Sequence, residues 1–185
     1  MASLLNGIAK ETCKGSGGVF VAYITELANV SGASITNGVA SFSAVAGVFK
    51  KFVLGKEAGS NFVSTHTGDV AAGTNIFEHI LVANFKRNQI AKRNELKTMA
   101  CNELVVVFMD SDFDSTGTSG NTYVMGLEVK NNVGGADVTT STISTGASLA
   151  ESNALSITLR SLETQPILGI AYEDWEDIVA GNAVN

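Results

Sequence analysis

Residues able to support catalysis or metal binding are few in this chain, and they are not clustered. The two histidines, His66 and His79, have no cysteine, aspartate or second histidine at the spacing of a metal site. Ser64, His66 and Asp69 supply the residue types of a hydrolytic triad, but a triad is assembled in space around a nucleophile on a defined turn. Neighbouring polar residues in one glycine-bearing loop do not meet that condition. We therefore predict no catalytic residue and no metal ligand, and a chain that is not an enzyme.

The acidic stretch that begins at Asp110 has the alternating carboxylates of a calcium-binding loop. Asp110, Asp112 and Asp114 could place several oxygens around one hard cation. An EF-hand loop also needs glycine at its sixth position and glutamate at its twelfth, and these positions hold Ser115 and Asn121. A solvated hairpin tip is the favoured interpretation, with a calcium site as the alternative.

The cysteines and the glycine-rich stretch near the N-terminus do not indicate a cofactor. Cys13 and Cys101 lack CxxC spacing, so we expect reduced thiols, although one disulfide between them fits the sequence as well. Cys101 would be a nucleophile only if a neighbouring base or positive charge activated it, and burial as a small hydrophobic residue is favoured. The glycines of residues 15–18 precede a strand, whereas a phosphate-binding turn follows a strand and opens a helix.

Composition predicts one folded domain with a sparsely charged surface. The chain has 185 residues, of which 45% are hydrophobic and 16% are charged, whereas about a quarter are charged in an average domain. Such a surface suits a subunit that buries its exterior against other copies, although an ordinary domain rich in Ser, Thr and Gly has the same composition. The net charge of −6 disfavours stable capture of nucleic acid, but DNA could slide past an acidic wall. No window approaches the roughly 20 apolar residues of a membrane span, so no membrane partner is predicted.

The hydrophobic pattern predicts a mainly β fold. Segments rich in valine and aromatic residues, some with strict alternation, are typical of strands. The strand candidates are Gly18–Thr25, Val48–Leu54, Asn75–Phe85, Glu103–Met109, Tyr123–Val129 and Ala154–Arg160. The fourth and fifth are expected to form a long hairpin with an enlarged tip. The pattern predicts a sheet-rich chain built mainly of antiparallel hairpins, with one helix-like insert and extended loops and arms.

The candidate strand Asn75–Phe85 has apolar and polar residues on both of its faces. One face carries Phe77, His79, Leu81, Ala83 and Phe85, and the other carries Ile76, Glu78, Ile80, Val82 and Asn84. This distribution is unusual for a simple sandwich, and we expect a neighbouring subunit to cover part of the strand.

The chain is divided into an N-terminal arm over residues 1–18, a β domain over 19–170 and an acidic C-terminal tail over 171–185. Within the domain, strong helix formers predict a helix over about residues 87–101. Gly55–Gly73 is predicted to be a long loop that becomes ordered against a neighbouring subunit.

Opposite charges concentrate on the predicted helix and the predicted tail. Five basic residues lie between residues 86 and 97, and four acidic residues surround Trp175. A solvated helix face is the ordinary interpretation of the basic cluster. We instead predict that the two clusters meet between subunits, where charge complementarity fixes register more than it adds affinity. The predicted subunit-interface residues are Lys86, Arg87, Lys92, Arg93, Lys97, Trp175 and Glu176.

The order of these elements resembles the tail tube proteins of tailed bacteriophages, especially a group from phages of Bacteroidetes hosts. The pattern runs from Cys13–Gly18 and an early strand, through a mid-chain strand and a basic helix, to the segment Leu104–Asp110. It continues with an Asp/Gly turn, Tyr123–Gly126 and the late strand Leu155–Leu159, which is followed by Glu163 and Pro166. It covers roughly residues 13–168 and consists of strands and turns rather than one sharp motif.

The resemblance implies a tail-tube-like fold, an antiparallel β-sandwich or open barrel with one flanking α-helix and extended loops and arms. It also implies a structural virion protein that acts by assembly. Hexameric rings would stack into a tail tube, the sheets would join into an inner β-barrel, and genomic DNA would pass through the lumen without specific binding. The implied partners are other copies and further tail and neck proteins, in a virion assembled in the bacterial cytoplasm, with no cofactor. Neck, terminator or baseplate components and the tube proteins of secretion machines are alternatives, because fold likeness alone does not determine function. A stand-alone enzyme or ligand-binding β domain is a further alternative.

Overall fold

The computed structural model describes residues 18–42, 48–54, 59–69, 73–86, 90–110, 122–127, 134–145 and 154–181. The strands are β1 (Val19–Glu26), β2 (Ser34–Thr36), β3 (Val39–Ser41), β4 (Lys50–Val53), β5 (Asn61–Asp69), β6 (Thr74–Lys86), β7 (Leu104–Asp110), β8 (Thr122–Met125), β9 (Asp137–Ser144), β10 (Ala154–Glu163) and β11 (Leu168–Ile170). The helices are α1 (Ile90–Met99) and α2 (Tyr172–Gly181), with a 3₁₀ turn over Leu27–Asn29. The prediction of a mainly β fold is confirmed.

The strands form two sheets that pack face to face. The larger has seven strands in the order β2-β3-β11-β8-β7-β1-β4, and the smaller has four in the order β5-β6-β10-β9. All pairs in the smaller sheet are antiparallel. The larger sheet is mixed, because β11 runs parallel to β3, whereas its other strand pairs are antiparallel.

The main core fills the space between the two sheets. The smaller sheet contributes alternate residues of β6 and β10, among them Leu81 and Leu159, which are fully buried. The larger sheet contributes β1 and β7 residues such as Val106 and Phe108. This alternation follows from the two-residue period of a strand, which sends every second side chain to the same face.

A second core covers the opposite face of the larger sheet. The other parity of β1 and β7, including Tyr23 and Val107, packs against Phe49 and against Trp175 and Ile178 of α2. Both faces of the larger sheet are therefore covered, which explains why β1 and β7 are almost continuously apolar in sequence.

The predicted β7–β8 hairpin is present. Val106 pairs with Met125 and Phe108 with Tyr123. The predicted tip lies outside the described residues, apart from Asp110 at the end of β7. The calcium hypothesis for Asp112 and Asp114 therefore stays a hypothesis.

Two segments differ from the sequence prediction. Residues 61–69, predicted as part of a long loop, form β5 and pair with β6 over their whole length. One face of this segment has the β-branched residues Val63, Thr65 and Thr67, which is typical of a strand. The pattern is hard to recognise in the sequence because most of the segment is polar. The predicted C-terminal tail contains α2, whose apolar residues Trp175 and Ile178 lie on the side that faces the sheet. The predicted N-terminal arm lies outside the described residues, except for Gly18.

Candidate interaction surfaces

The smaller sheet has two long edges. Its edge strands, β5 and β9, contain nine and eight residues and pair with other described strands on one side only. Neither contains lysine or proline, which natural proteins use to prevent pairing at a sheet edge. Side chains of both strands are mostly exposed. These edges therefore present backbone groups to any strand that can align with them.

The two edges run in opposite directions. Each neighbouring pair in the order β5-β6-β10-β9 is antiparallel, so the first and fourth strands are antiparallel to each other. When copies are related by rotation about an axis, strand direction along that axis is the same in every copy. Strand β9 of one copy would then meet β5 of the next in antiparallel orientation, and the sheet would continue across the boundary.

The outer face of the smaller sheet is covered by no described element and combines hydroxyl-bearing and aliphatic side chains. Val63, Ile76 and Leu162 are 47%, 43% and 47% exposed on this face. Its charges include Glu78 and Arg160, which form an ion pair across β6 and β10. The prediction that β6 has apolar side chains on both faces is confirmed by this packing. Every second residue from Phe77 to Phe85 points inward, and every second residue from Ile76 to Asn84 points outward.

The basic cluster is divided between the α1 surface and segments outside the described part of the chain. Helix α1 starts at Ile90 rather than near residue 87, and Arg87 lies outside the described residues. Lys86 ends β6. Arg93 and Lys97 are exposed on α1, so these two cations are accessible to a partner.

Lys92 differs from the other α1 cations because it contacts its own chain. Its side chain is half-buried, and Nζ lies 5.7 Å from the centroid of the Phe85 ring. Such a cation–π contact stabilises by roughly 0.5–1 kcal/mol at an exposed site. Lys92 also lines a cleft of about 310 Å³, together with Phe52, Leu155 and Ile157.

Trp175 lies in the core of its own chain. The side chain is 6% exposed and meets Tyr23 edge to face, with ring centroids 5.3 Å apart. Asp174 beside it is also buried and accepts a hydrogen bond from the backbone N–H of Phe42 at 3.1 Å. A contact of Trp175 with a neighbouring subunit, as predicted from the sequence, would require α2 to leave the sheet, because the ring packs α2 against its own domain.

The exposed side of α2 keeps its acidic character. Glu173, Glu176 and Asp177 are exposed, and the Tyr172 hydroxyl donates a hydrogen bond to Glu176 at 2.6 Å. This bond and the charge of Glu176 raise the pKa of Tyr172. Acidic residues in the first turn also suit the positive end of the helix dipole. The three carboxylates form an accessible negative patch, as the sequence suggested for Glu176.

The residues proposed from sequence for chemistry are not brought into one site. His66 Nε2 contacts Asn75 Oδ1 across the β5–β6 hairpin, and the His66 ring packs against Phe77 with centroids 4.7 Å apart. Cys101 is exposed at the end of α1, not buried as expected. Within the described residues, no group of three or more His, Cys, Asp or Glu side chains could hold a metal ion. No helix in the described part of the chain is long and apolar enough to cross a membrane.

Sequence reasoning missed the two bare edges and one buried polar pair. Strand β9 was not among the strand candidates from the sequence, and its run of threonines was the available signal. The buried pair, His79 and Glu163, lies on separate strands of the smaller sheet. No sequence spacing indicates that contact. Comparison with protein-family models, with curated proteins and with solved structures finds no match for this chain.

Proposed function

We propose that this chain is a structural virion protein, a subunit of a phage tail tube that assembles into hexameric rings. The observation that carries the proposal is the smaller sheet, whose unprotected edges run in opposite directions. Pairing of β9 of one copy with β5 of the next is heterologous, and a rotation that closes makes a ring with no free edges. The family resemblance supplies the number six, the stacking of rings and the passage of DNA.

The chemistry of the outer face of the smaller sheet is compatible with a conduit. Serine and threonine side chains of β9 and β10 share this face with aliphatic side chains of β6, and the Arg160 cation is paired with Glu78. Retention of DNA by electrostatics requires unpaired cations that displace counterions from phosphates. A wall of hydroxyl groups and paired charges lets DNA pass without being held.

The exposed charges support contacts between subunits or between rings. Arg93 and Lys97 on α1 and Glu176 on α2 are accessible and of opposite sign. Such rim pairs contribute roughly 0–1 kcal/mol each and are screened by salt. They would orient neighbouring copies, while the strand edges hold the copies together.

The proposal is tested by placing lysines on an edge strand. The double variant Thr140→Lys, Thr142→Lys puts two charges on β9, and we expect it to remain a folded monomer that forms neither rings nor tubes. Its matched control is Ser156→Lys, Thr158→Lys, because these residues face the same side on β10 and pair directly with Thr142 and Thr140. The control should assemble like the parent protein.

Size-exclusion chromatography with light scattering gives the oligomeric state, and negative-stain microscopy separates stacked tubes from single rings. Single rings would favour a neck or terminator component over a tube subunit. A parent chain that stays monomeric at every concentration, or an edge variant that still forms rings, would refute edge-to-edge assembly.

A further inference from the structure

One buried titratable residue has no role in the proposed assembly. His79 is fully buried on β6, where it points toward the larger sheet and pairs in register with Ser161 of β10 and Ser64 of β5. Among the described residues, neither of its ring nitrogens has a hydrogen-bond partner at normal distance. Buried polar groups are almost always satisfied, so this position calls for a physical explanation.

The neighbouring carboxylate connects the two sheets. Glu163, at the end of β10, is 2% exposed, and its Oε1 accepts hydrogen bonds from the Gly126 N–H at 2.7 Å and the Ser161 hydroxyl at 2.9 Å. Gly126 directly follows β8 in the larger sheet. The other carboxylate oxygen, Oε2, lies 3.9 Å from His79 Nε2, which is beyond hydrogen-bond distance.

The surroundings of His79 are mostly aromatic. The Phe62 ring of β5 and the Phe77 ring of β6 lie 6.0 and 6.5 Å from the imidazole, centroid to centroid. The titratable groups on the elements packed around it are Glu163 on β10, His66 on β5 beyond Phe77, and Tyr123 on β8 beyond Phe62, with Asp110 on β7 bonded to the Tyr123 hydroxyl. Glu163 is the one among them within 4 Å of the imidazole.

We propose that His79 and Glu163 form an acid-sensitive latch between the two sheets, which holds while His79 is neutral and loosens when His79 takes up a proton. An imidazolium at this buried position needs hydrogen-bond acceptors, and the Glu163 carboxylate that binds Gly126 is the charged group within 4 Å of the ring among the described residues. Protonated His79 therefore competes with the Gly126 N–H for hydrogen bonds to the Glu163 carboxylate. The latch belongs to the single chain and does not depend on the assembly proposed above.

The direction of the pH effect follows from burial. Desolvation lowers the pKa of His79 from its ordinary value of 6.5, and the backbone of Gln165 acts in the opposite direction. Between the lowered pKa and 6.5, the unfolded chain binds more protons than the folded chain. The stabilisation is therefore complete above about pH 6.5 and is lost as the pH falls through the pKa of folded His79.

The latch is tested by denaturant unfolding at several pH values between 7.5 and about 5. For one proton, the unfolding equilibrium constant of the parent chain should rise by up to about tenfold per pH unit below 6.5. His79→Gln, which cannot titrate, should lose that part of the rise. His66→Gln is the matched control, because the chain has two histidines and His66 is exposed; it should keep the parent dependence. Equal pH dependence in the parent and in His79→Gln would overturn the latch.

Two measurements on folded chain keep the test independent of whether His79→Gln folds. In His66→Gln a single imidazole NMR signal remains, and it should titrate below 6.5; titration at or above that value would overturn the proposal. Hydrogen exchange of the Gly126 amide, corrected for intrinsic rate, should accelerate in acid more than that of Val107, which lies in the second core. Equal acceleration at both amides would show that protonation does not act through Glu163.

Discussion

The two sheets of this protein differ in how far their faces are covered and in the length of their edge strands. The seven-stranded sheet is covered on both faces, and its edge strands are short: β2 has three residues and β4 has four, two of them lysines. Among the described residues, the four-stranded sheet has one face that no element covers and two long edge strands without lysine or proline. The seven-stranded sheet therefore has short edge strands, one of them with lysines, which prevent pairing with another chain, and the four-stranded sheet lacks these features.

This difference shows which region of the described structure completes its own packing and which region does not. The larger sheet is covered by packing within the chain, and the smaller sheet is available for contacts that the described residues do not make. The comparison predicts that substitutions in the covered region change folding stability, whereas substitutions in the bare region change association.

The largest effect is expected from Trp175→Ala in the second core. Removal of this buried indole should destabilise the monomer by about 3–5 kcal/mol, because it leaves a cavity against Tyr23. Val53→Ala is the control on the same sheet, since Val53 is 69% exposed, and it should change stability by less than about 0.5 kcal/mol. Denaturant unfolding measures both. A small effect at Trp175 would mean that α2 does not depend on this contact.

The next effect tests the junction of the two sheets. Gly126 has φ +79°, and a Cβ there would lie 2.3 Å from the Leu104 carbonyl oxygen and 2.7 Å from the Ala136 nitrogen. Gly126→Ala should therefore lower the free energy of unfolding by more than about 2 kcal/mol in denaturant unfolding. The backbone of Leu104 and Ala136 must move, and the alanine must also adopt a left-handed conformation.

Gly73→Ala separates the two causes. Gly73 also has positive φ, +66°, but no described atom lies within 4 Å of the position that a Cβ would take. This variant should lose only about 1–2 kcal/mol, which is the conformational cost alone. Equal losses at both glycines would show that the junction tolerates movement and that the sheets are not tightly joined there.

A small effect on the monomer is expected on the uncovered face. Leu162→Thr replaces a side chain that is 47% exposed on the inner strand β10, and it should change monomer stability by less than about 0.5 kcal/mol. If this face lines a lumen, ring formation should also be unchanged in light scattering. Loss of rings would instead show that another molecule or subunit covers the face.

The smallest effect is expected from the exposed cations of α1. The variant Arg93→Glu, Lys97→Glu should leave folding unchanged, slow assembly at low salt and converge with the parent at high salt, because rim charges mainly steer encounter. Light scattering over time at two ionic strengths measures this. Lys50→Glu, on an exposed residue of β4, is a control for general charge effects. Identical kinetics for parent and variant would assign these cations to ordinary solvated surface.

Local patterns in the sequence determined the strand-rich fold and much of its core. Near-continuous apolarity in β1 and β7 matches a sheet that is buried on both sides, and alternation in β10 matches a sheet with one buried face. The basic helix was also predictable, because helix formers and charge are read from neighbouring residues. These features depend on interactions within a few residues, and such interactions are visible in the order of amino acids.

Only the tertiary structure decided which face each ambiguous element buries and what it meets there. Trp175 lies among acidic residues in sequence and suggested an exposed tail, but its neighbour Tyr23 is distant in the chain. The polar strand β5 is held by pairing with β6, and His79 meets Glu163 because β6 and β10 are adjacent. Each of these outcomes depends on backbone pairing or burial between remote segments, so the register of the sheets, and not local propensity, sets the environment of the residue.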